Sequence, residues 1–174
     1  MSAQNPPSVE PPRRPEQFPQ SGRGSLPGPW NRIGARLFDL LILGIPGMAL
    51  MMPFVEFSAT ELSEMTADVP LWAVIAAAFV PFVYDAVFVA SLGRTPGKML
   101  LGTRVVRYVD GRKPTVSQAI LRSVTPVFGN LVSLGFPLGG LLVFWAPVVY
   151  FSTFFDPLRR GLHDKAAGTI VIHD

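Results

Sequence analysis

The sequence has no cysteine among its 174 residues, which excludes disulfides, thiolate metal sites and cysteine nucleophiles. Its two histidines, His163 and His173, are too few for a histidine metal cluster, so neither a metal nor another cofactor is expected. Charge is scarce too: 16% of residues are charged against 49% hydrophobic, a balance foreign to disordered and ordinary soluble chains and typical of membrane proteins. A soluble enzyme is therefore not expected, nor is a nucleic-acid partner. The net charge of +3 matters less than where the charges fall.

The run from Trp30 to Val55, WNRIGARLFDLLILGIPGMALMMPFV, is entered through two arginines and interrupted by one carboxylate. From Ile33 to Val55 its only charges are Arg36 and Asp39, and at 1.5 Å per residue it is long enough to cross a hydrocarbon core about 30 Å thick. It is expected to form a first transmembrane helix. Arg32, Arg36 and Asp39 then share one face, with Asp39 about 10 Å deeper than Arg32. An aspartate at that depth costs roughly 2.5 to 3.5 kcal/mol unless it finds a partner. Another part of the chain should supply one.

Before this run, residues 1–30 form a proline-rich segment with no apolar stretch able to pack, expected to stay extended, solvated and cytoplasmic. After it, Glu56, Glu61, Glu64 and Asp68 arrive with no basic residue among them. A second apolar run, 70–92, carries the single charge Asp85 and an interfacial Trp72. The next segment, 93–113, holds Arg94, Lys98, Arg104, Arg107, Arg112 and Lys113 against Asp110 alone, which marks it as cytoplasmic by the positive-inside rule. Both termini should lie on that side. The third apolar region, 116–155, fits either a hairpin turning at GFPLGG (135–140) or a surface helix followed by a segment broken at Pro126, Pro137 and Pro147.

Two cytoplasmic stretches are β-prone: 101–109, LGTRVVRYV, before an Asp-Gly turn signal, and 168–173, GTIVIH. An isolated strand is unstable in water, so the two are expected to pair antiparallel beneath the helices. The expected architecture is an all-α membrane protein: a helical bundle of about four transmembrane or re-entrant segments with a small cytoplasmic two-stranded β element. Its divisions are the tail at 1–30, the membrane domain at 31–155 and a cytoplasmic C-terminal segment at 156–174.

The chemistry-bearing candidates are few. GRTPGK at 93–98 invites comparison with a phosphate-binding loop, but it is one residue short between its glycines and has Met99 where a hydroxyl belongs. A turn, with Arg94 and Lys98 on anionic lipid headgroups, is the expected reading. His163 and Asp164 have no nucleophile or metal set beside them; Asp164 is expected to cap a short helix or pair with Arg159 or Arg160. The constellation of interest is a buried charged layer of Arg32, Arg36, Asp39, Asp85 and Arg122. In it Asp39 and Asp85 share one level, with Arg36 and Arg122 as their cations; the set suits a closed structural ion-pair network that fixes how the helices pack, or, in a wet cavity, a proton or cation relay.

At three blocks the sequence resembles the RDD family of small bacterial membrane proteins, named for one arginine and two aspartates. The blocks are RIGARLFD at 32–39, GRTPGKMLLGTRVVRYVDGRKPTVSQAILR at 93–122 and DPLRRGLHDKAAGTIVI at 156–172. The resemblance implies that the family's arginine is Arg32, its first aspartate Asp39 and its second Asp164, with Gly97, Lys98 and His163 in the accompanying cytoplasmic motif. Arg36 stands where an apolar residue is more usual. The resemblance implies a multi-pass protein of the bacterial inner membrane, in contact with the lipid bilayer, with little said of its chemistry. Two functions are expected from different classes. One is movement of protons or cations through the Arg/Asp layer, in a homo-oligomer. The other is a non-catalytic accessory subunit or assembly factor of a larger membrane complex, such as a respiratory or transport complex.

Overall fold

A computed structural model describes residues 11–56, 66–67, 70–133 and 144–174. The turn expected at 135–140, residues 1–10 and most of the acidic 56–69 stretch lie outside the described residues.

Helix α1 (Pro29–Met51) starts where Pro29 follows Gly28, because proline's fixed φ suits a first helical turn. A short 3-10 turn leads into β1 (Val55–Glu56), which pairs antiparallel with β2 (Thr66–Ala67). Helix α2 (Leu71–Leu92) ends at Gly93, whose φ of 71° closes the last turn in the left-handed region that glycine enters without penalty. The short α3 (Pro96–Leu100), β3 (Thr103–Arg107), α4 (Val116–Ser133), α5 (Trp145–Phe151), α6 (Leu162–Ala166) and β4 (Thr169–His173) follow.

The β expectation holds. Strands β3 and β4 pair antiparallel with Val105 opposite Val171 and Val106 opposite Ile170. The two-residue period splits the sheet between two cores. Val105 and Val171 pack with Val89 of α2 and Ala119 of α4, while Val106, Ile170 and Ile172 pack with Leu158. Burial on both faces explains why β4 reads as a nearly continuous apolar run.

The second face is closed by the segment expected to be a solvated tail, which is corrected here from Pro12 onward. Phe18 and Leu26 pack on the Val106 cluster. Gly24 donates its N–H to His173 O at 2.9 Å and His173 donates to Ser25 O at 2.9 Å, so the segment prolongs the β4 edge. Tyr108 Oη donates to Pro12 O at 2.6 Å, and Arg159 donates to Leu26 O at 2.9 Å. A proline-rich composition does not prevent docking where two apolar side chains and an open strand edge are available.

Among the described residues no helix is long and apolar enough to cross a membrane. The crossings expected over 33–55 and 70–92 therefore stand as helices at the expected places, without that further property. In the third region α4 packs against both α2 and α5, and Trp145 donates its indole N–H to Thr125 O at 2.7 Å. Helices α4 and α5 thus lie side by side.

Candidate functional site

The charged residues separate into three groups rather than one layer. The first is built on Asp39, which is fully buried. Pro96 at the first position of α3 and Gly97 after it let α3 lie directly on α1: a Cβ at Gly97 would stand 2.1 Å from Ala35 O and 2.8 Å from the Asp39 carboxylate. That approach lets Gly97 donate its N–H to Asp39 Oδ1 at 2.8 Å. Thr95 Oγ1 donates to Oδ2 at 2.6 Å and Tyr84 Oη to Oδ1 at 2.9 Å. Asp39 is thus answered by two hydroxyls and a backbone amide, not by the arginine expected for it.

The second group centres on Asp164, also fully buried. Arg32 Nη1 donates to Oδ2 at 2.8 Å, and Arg122 Nη1 binds Oδ1. Thr169 Oγ1 lies 3.3 Å from Oδ1, and Gly161 donates its N–H to Oδ2 at 3.2 Å, which caps α6 as expected. Arg122 therefore serves Asp164 rather than Asp39 or Asp85. The pairing of Asp164 with Arg159 or Arg160 is likewise corrected. Arg159 donates to Leu26 O, while Arg160 donates to Thr169 O and stacks 4.0 Å over the Tyr108 ring. His163 approaches Asp164 at 3.7 Å without a hydrogen bond. Its pKa is pushed well below the usual value by burial and by the repulsion of Arg122 and Arg32, so its ring stays neutral.

The third group is the expected pair of Arg36 and Asp85, at 3.3 Å, with the guanidinium 5.2 Å over the Tyr150 ring. Lys98 joins the first group only through Thr95. Instead of reaching lipid headgroups it is half-buried, and its Nζ donates to Thr95 Oγ1 at 3.2 Å with no carboxylate in ion-pair range among the described residues. Desolvation lowers its pKa to about 8, with Asp85 opposing and Arg122 adding to the fall. Arg94, the other residue assigned to headgroups, pairs with Asp174.

These groups border one cavity of about 580 Å³ between α1, α2, α4 and α5. Arg32, Arg36, Lys98 and Arg122 line it, with Asp85, Tyr150 and His163, and its remaining wall is mainly apolar. Of the five residues of the expected charged layer, Arg32, Arg36, Asp85 and Arg122 line it and Asp39 does not. The sequence reading missed Thr95, Tyr84, Thr169 and Tyr150; the one available signal was Thr95 immediately before Pro-Gly, a helix-start pattern. Among the described residues no group of His, Cys, Asp or Glu is arranged to hold a metal.

Comparison with known proteins agrees with the three sequence blocks. The RDD family model matches residues 26–168. A Bacillus subtilis (strain 168) protein described as "Uncharacterized membrane protein YteJ" is 26% identical over 148 residues, covering 84% of this chain and 80% of its own. No solved structure matches.

Proposed function

Since the chain belongs to the RDD family, we propose that it is a membrane-embedded protein that takes up an anionic solute in the cavity between α1, α2, α4 and α5. The single observation that carries this reading is the charge of that cavity: four cations line it and only Asp85 opposes them. Asp39 and Asp164 are already answered by the donors described above. Counting Arg32, Arg36, Lys98 and Arg122 against Asp39, Asp85 and Asp164 leaves one positive charge unbalanced. An anion would complete it, whereas a passing cation would be repelled. The charge count thus favours an anion over the proton or cation path.

Embedding is supported by the outward faces of the helices. Leu37, Leu41, Ile45 and Met48 form an exposed stripe on α1, and Ile75, Phe79, Val83 and Val87 form another on α2. Apolar surface on that scale is rare on soluble monomers and marks a lipid or protein contact. Exposed Trp30, edge-on to Phe154, with Phe155 nearby, suits the aromatic belt at a membrane interface. The arginines and lysines gather around the β3–β4 end, which supports placing that end on the cytoplasmic side of the plasma membrane.

The test places charge on the exposed stripe. Leu41 is 65% and Ile45 74% exposed, so arginine at either meets no packing obstacle. In lipid each arginine costs about 2.5 to 3.5 kcal/mol. The Leu41→Arg/Ile45→Arg chain should therefore be lost from the carbonate-washed membrane fraction that retains the wild type. Recovery of the variant there at wild-type level, or of a detergent-free soluble wild type, would remove the embedding.

A further inference from the structure

The cavity steps from polar to apolar along its length, and α1, α2, α4 and α5 each carry that step. On α1 the lining residues Arg36 and Leu40 are four apart; on α4 Arg122 and Pro126 are four apart. The other two walls give the step in reverse order along the chain, with Pro81 before Asp85 on α2 and Ala146 before Tyr150 on α5. Four residues are just over one helical turn, about 6 Å along the axis. Arg36, Asp85, Arg122 and Tyr150 thus mark one level of the cavity, and Leu40, Pro81, Pro126 and Ala146 mark another about 6 Å away. Val127 and Pro147 extend the apolar part.

We propose that the cavity binds an anionic amphiphile, a carboxylate or phosphate monoester on an alkyl chain, with its headgroup among Arg32, Arg36, Lys98 and Arg122 and its chain along Leu40, Pro126 and Val127. This rests on the reading of the cavity as an anion site and specifies the class of anion. The polar level offers donors that the protein leaves unused. Lys98 has only the Thr95 hydroxyl, and Arg32 Nε is buried with no hydrogen-bond partner among the described residues. A buried guanidinium N–H with no acceptor and a half-buried ammonium with no carboxylate are costly unless a ligand supplies the missing partner. The apolar level offers the opposite: aliphatic and proline surface with nothing to hydrogen-bond. An inorganic anion would use the first level and waste the second, and a neutral alkane the reverse. The volume of about 580 Å³ lies in the usual range for small-ligand sites.

The experiment uses the full chain in phosphatidylcholine nanodiscs, with empty nanodiscs as blank, and titrates dodecyl phosphate, inorganic phosphate and dodecanol by calorimetry. Dodecyl phosphate should bind at least about tenfold more tightly than either half alone, a difference of roughly 1.4 kcal/mol. Lys98→Met removes a cation that anchors no carboxylate, and it should weaken dodecyl phosphate about tenfold. Leu40→Gln should weaken dodecyl phosphate while leaving inorganic phosphate unchanged. Melting of each variant against wild type identifies any loss of fold, and two variants on separate helices keep the test open if one fails. Repeating the titration with phosphatidylglycerol in the nanodisc separates the sources. Weakened binding identifies a bilayer lipid as the natural occupant, and unchanged binding a free amphiphile; either supports the proposal. Equal binding of inorganic phosphate would overturn the amphiphile while keeping an anion site. Equal binding of dodecanol, or no binding of any probe by a folded chain, would overturn both.

Discussion

Gly97→Ala is expected to destabilise this protein by about 3 kcal/mol or more, although it adds one methyl group to an exposed-looking turn motif. The added Cβ would lie 2.1 Å from the carbonyl oxygen of Ala35 and 2.8 Å from Asp39 Cγ, so α3 has to retreat from α1 by about 1 Å. Retreat pulls the Gly97 N–H and the Thr95 hydroxyl away from a carboxylate that has no water to replace them. Each donor lost from a buried charge costs at least about 1 to 3 kcal/mol. Because the obstruction is backbone, Ala35→Gly will not relieve it. The control is Gly44→Ala, in α1, where a Cβ meets nothing within 4 Å and the change trades glycine for a better helix former, worth about 1 kcal/mol. Thermal unfolding of the purified chain in one detergent compares the three. A Gly97→Ala chain that melts with wild type would show that α3 does not sit on α1 as described.

How far this arrangement could be read beforehand depends on which interactions leave a mark in the sequence. The β3–β4 pair was legible because GTIVIH and LGTRVVRYV carry β-branched residues and a turn signal close by. That Asp39 needed a partner was legible too, since an ionised group in an apolar run is costly wherever it sits. The partner itself was not. Counting charges directs attention to arginines, whereas the structure uses a backbone N–H, a threonine and a tyrosine, and a backbone amide has no letter of its own. The same method misassigned Arg122, because electroneutrality fixes how many pairs form and not which residues form them. For Asp164 the residues suggested a helix cap and only the family resemblance set it beside Arg32 and Asp39; its pairing with Arg122, 42 residues away, left no mark in the sequence. The four-residue step from polar to apolar is present in the sequence at 36/40, 81/85, 122/126 and 146/150. It acquires meaning only once those four helices are known to surround one space.

Asp164→Asn should be the most damaging single change at the charged site, costing about 3 to 5 kcal/mol, the usual consequence of removing one member of a buried ion network. The side chain keeps its shape, its one amide oxygen can still accept from Gly161 and its NH2 can donate to the Thr169 hydroxyl, so steric loss is small. What disappears is the only carboxylate within ion-pair distance of either Arg32 or Arg122 among the described residues, leaving two guanidinium charges facing each other across a neutral amide. The cost should therefore depend on the arginines and not on the aspartate alone. In the triple variant Arg32→Met, Arg122→Met, Asp164→Leu the whole Arg–Asp–Arg triad is gone and none of its charges is left unpaired, and apolar replacement of such triads is often neutral or stabilising. That chain should recover most of the stability lost by Asp164→Asn while losing anion binding in the cavity that both arginines line. The two outcomes separate scaffold from site: if the triple variant is as unstable as the single one, the network's value lies in packing geometry rather than charge. If the triple variant is stable and still binds dodecyl phosphate as the wild type does, Arg32 and Arg122 only hold the fold, and the headgroup contacts must come from Arg36 and Lys98.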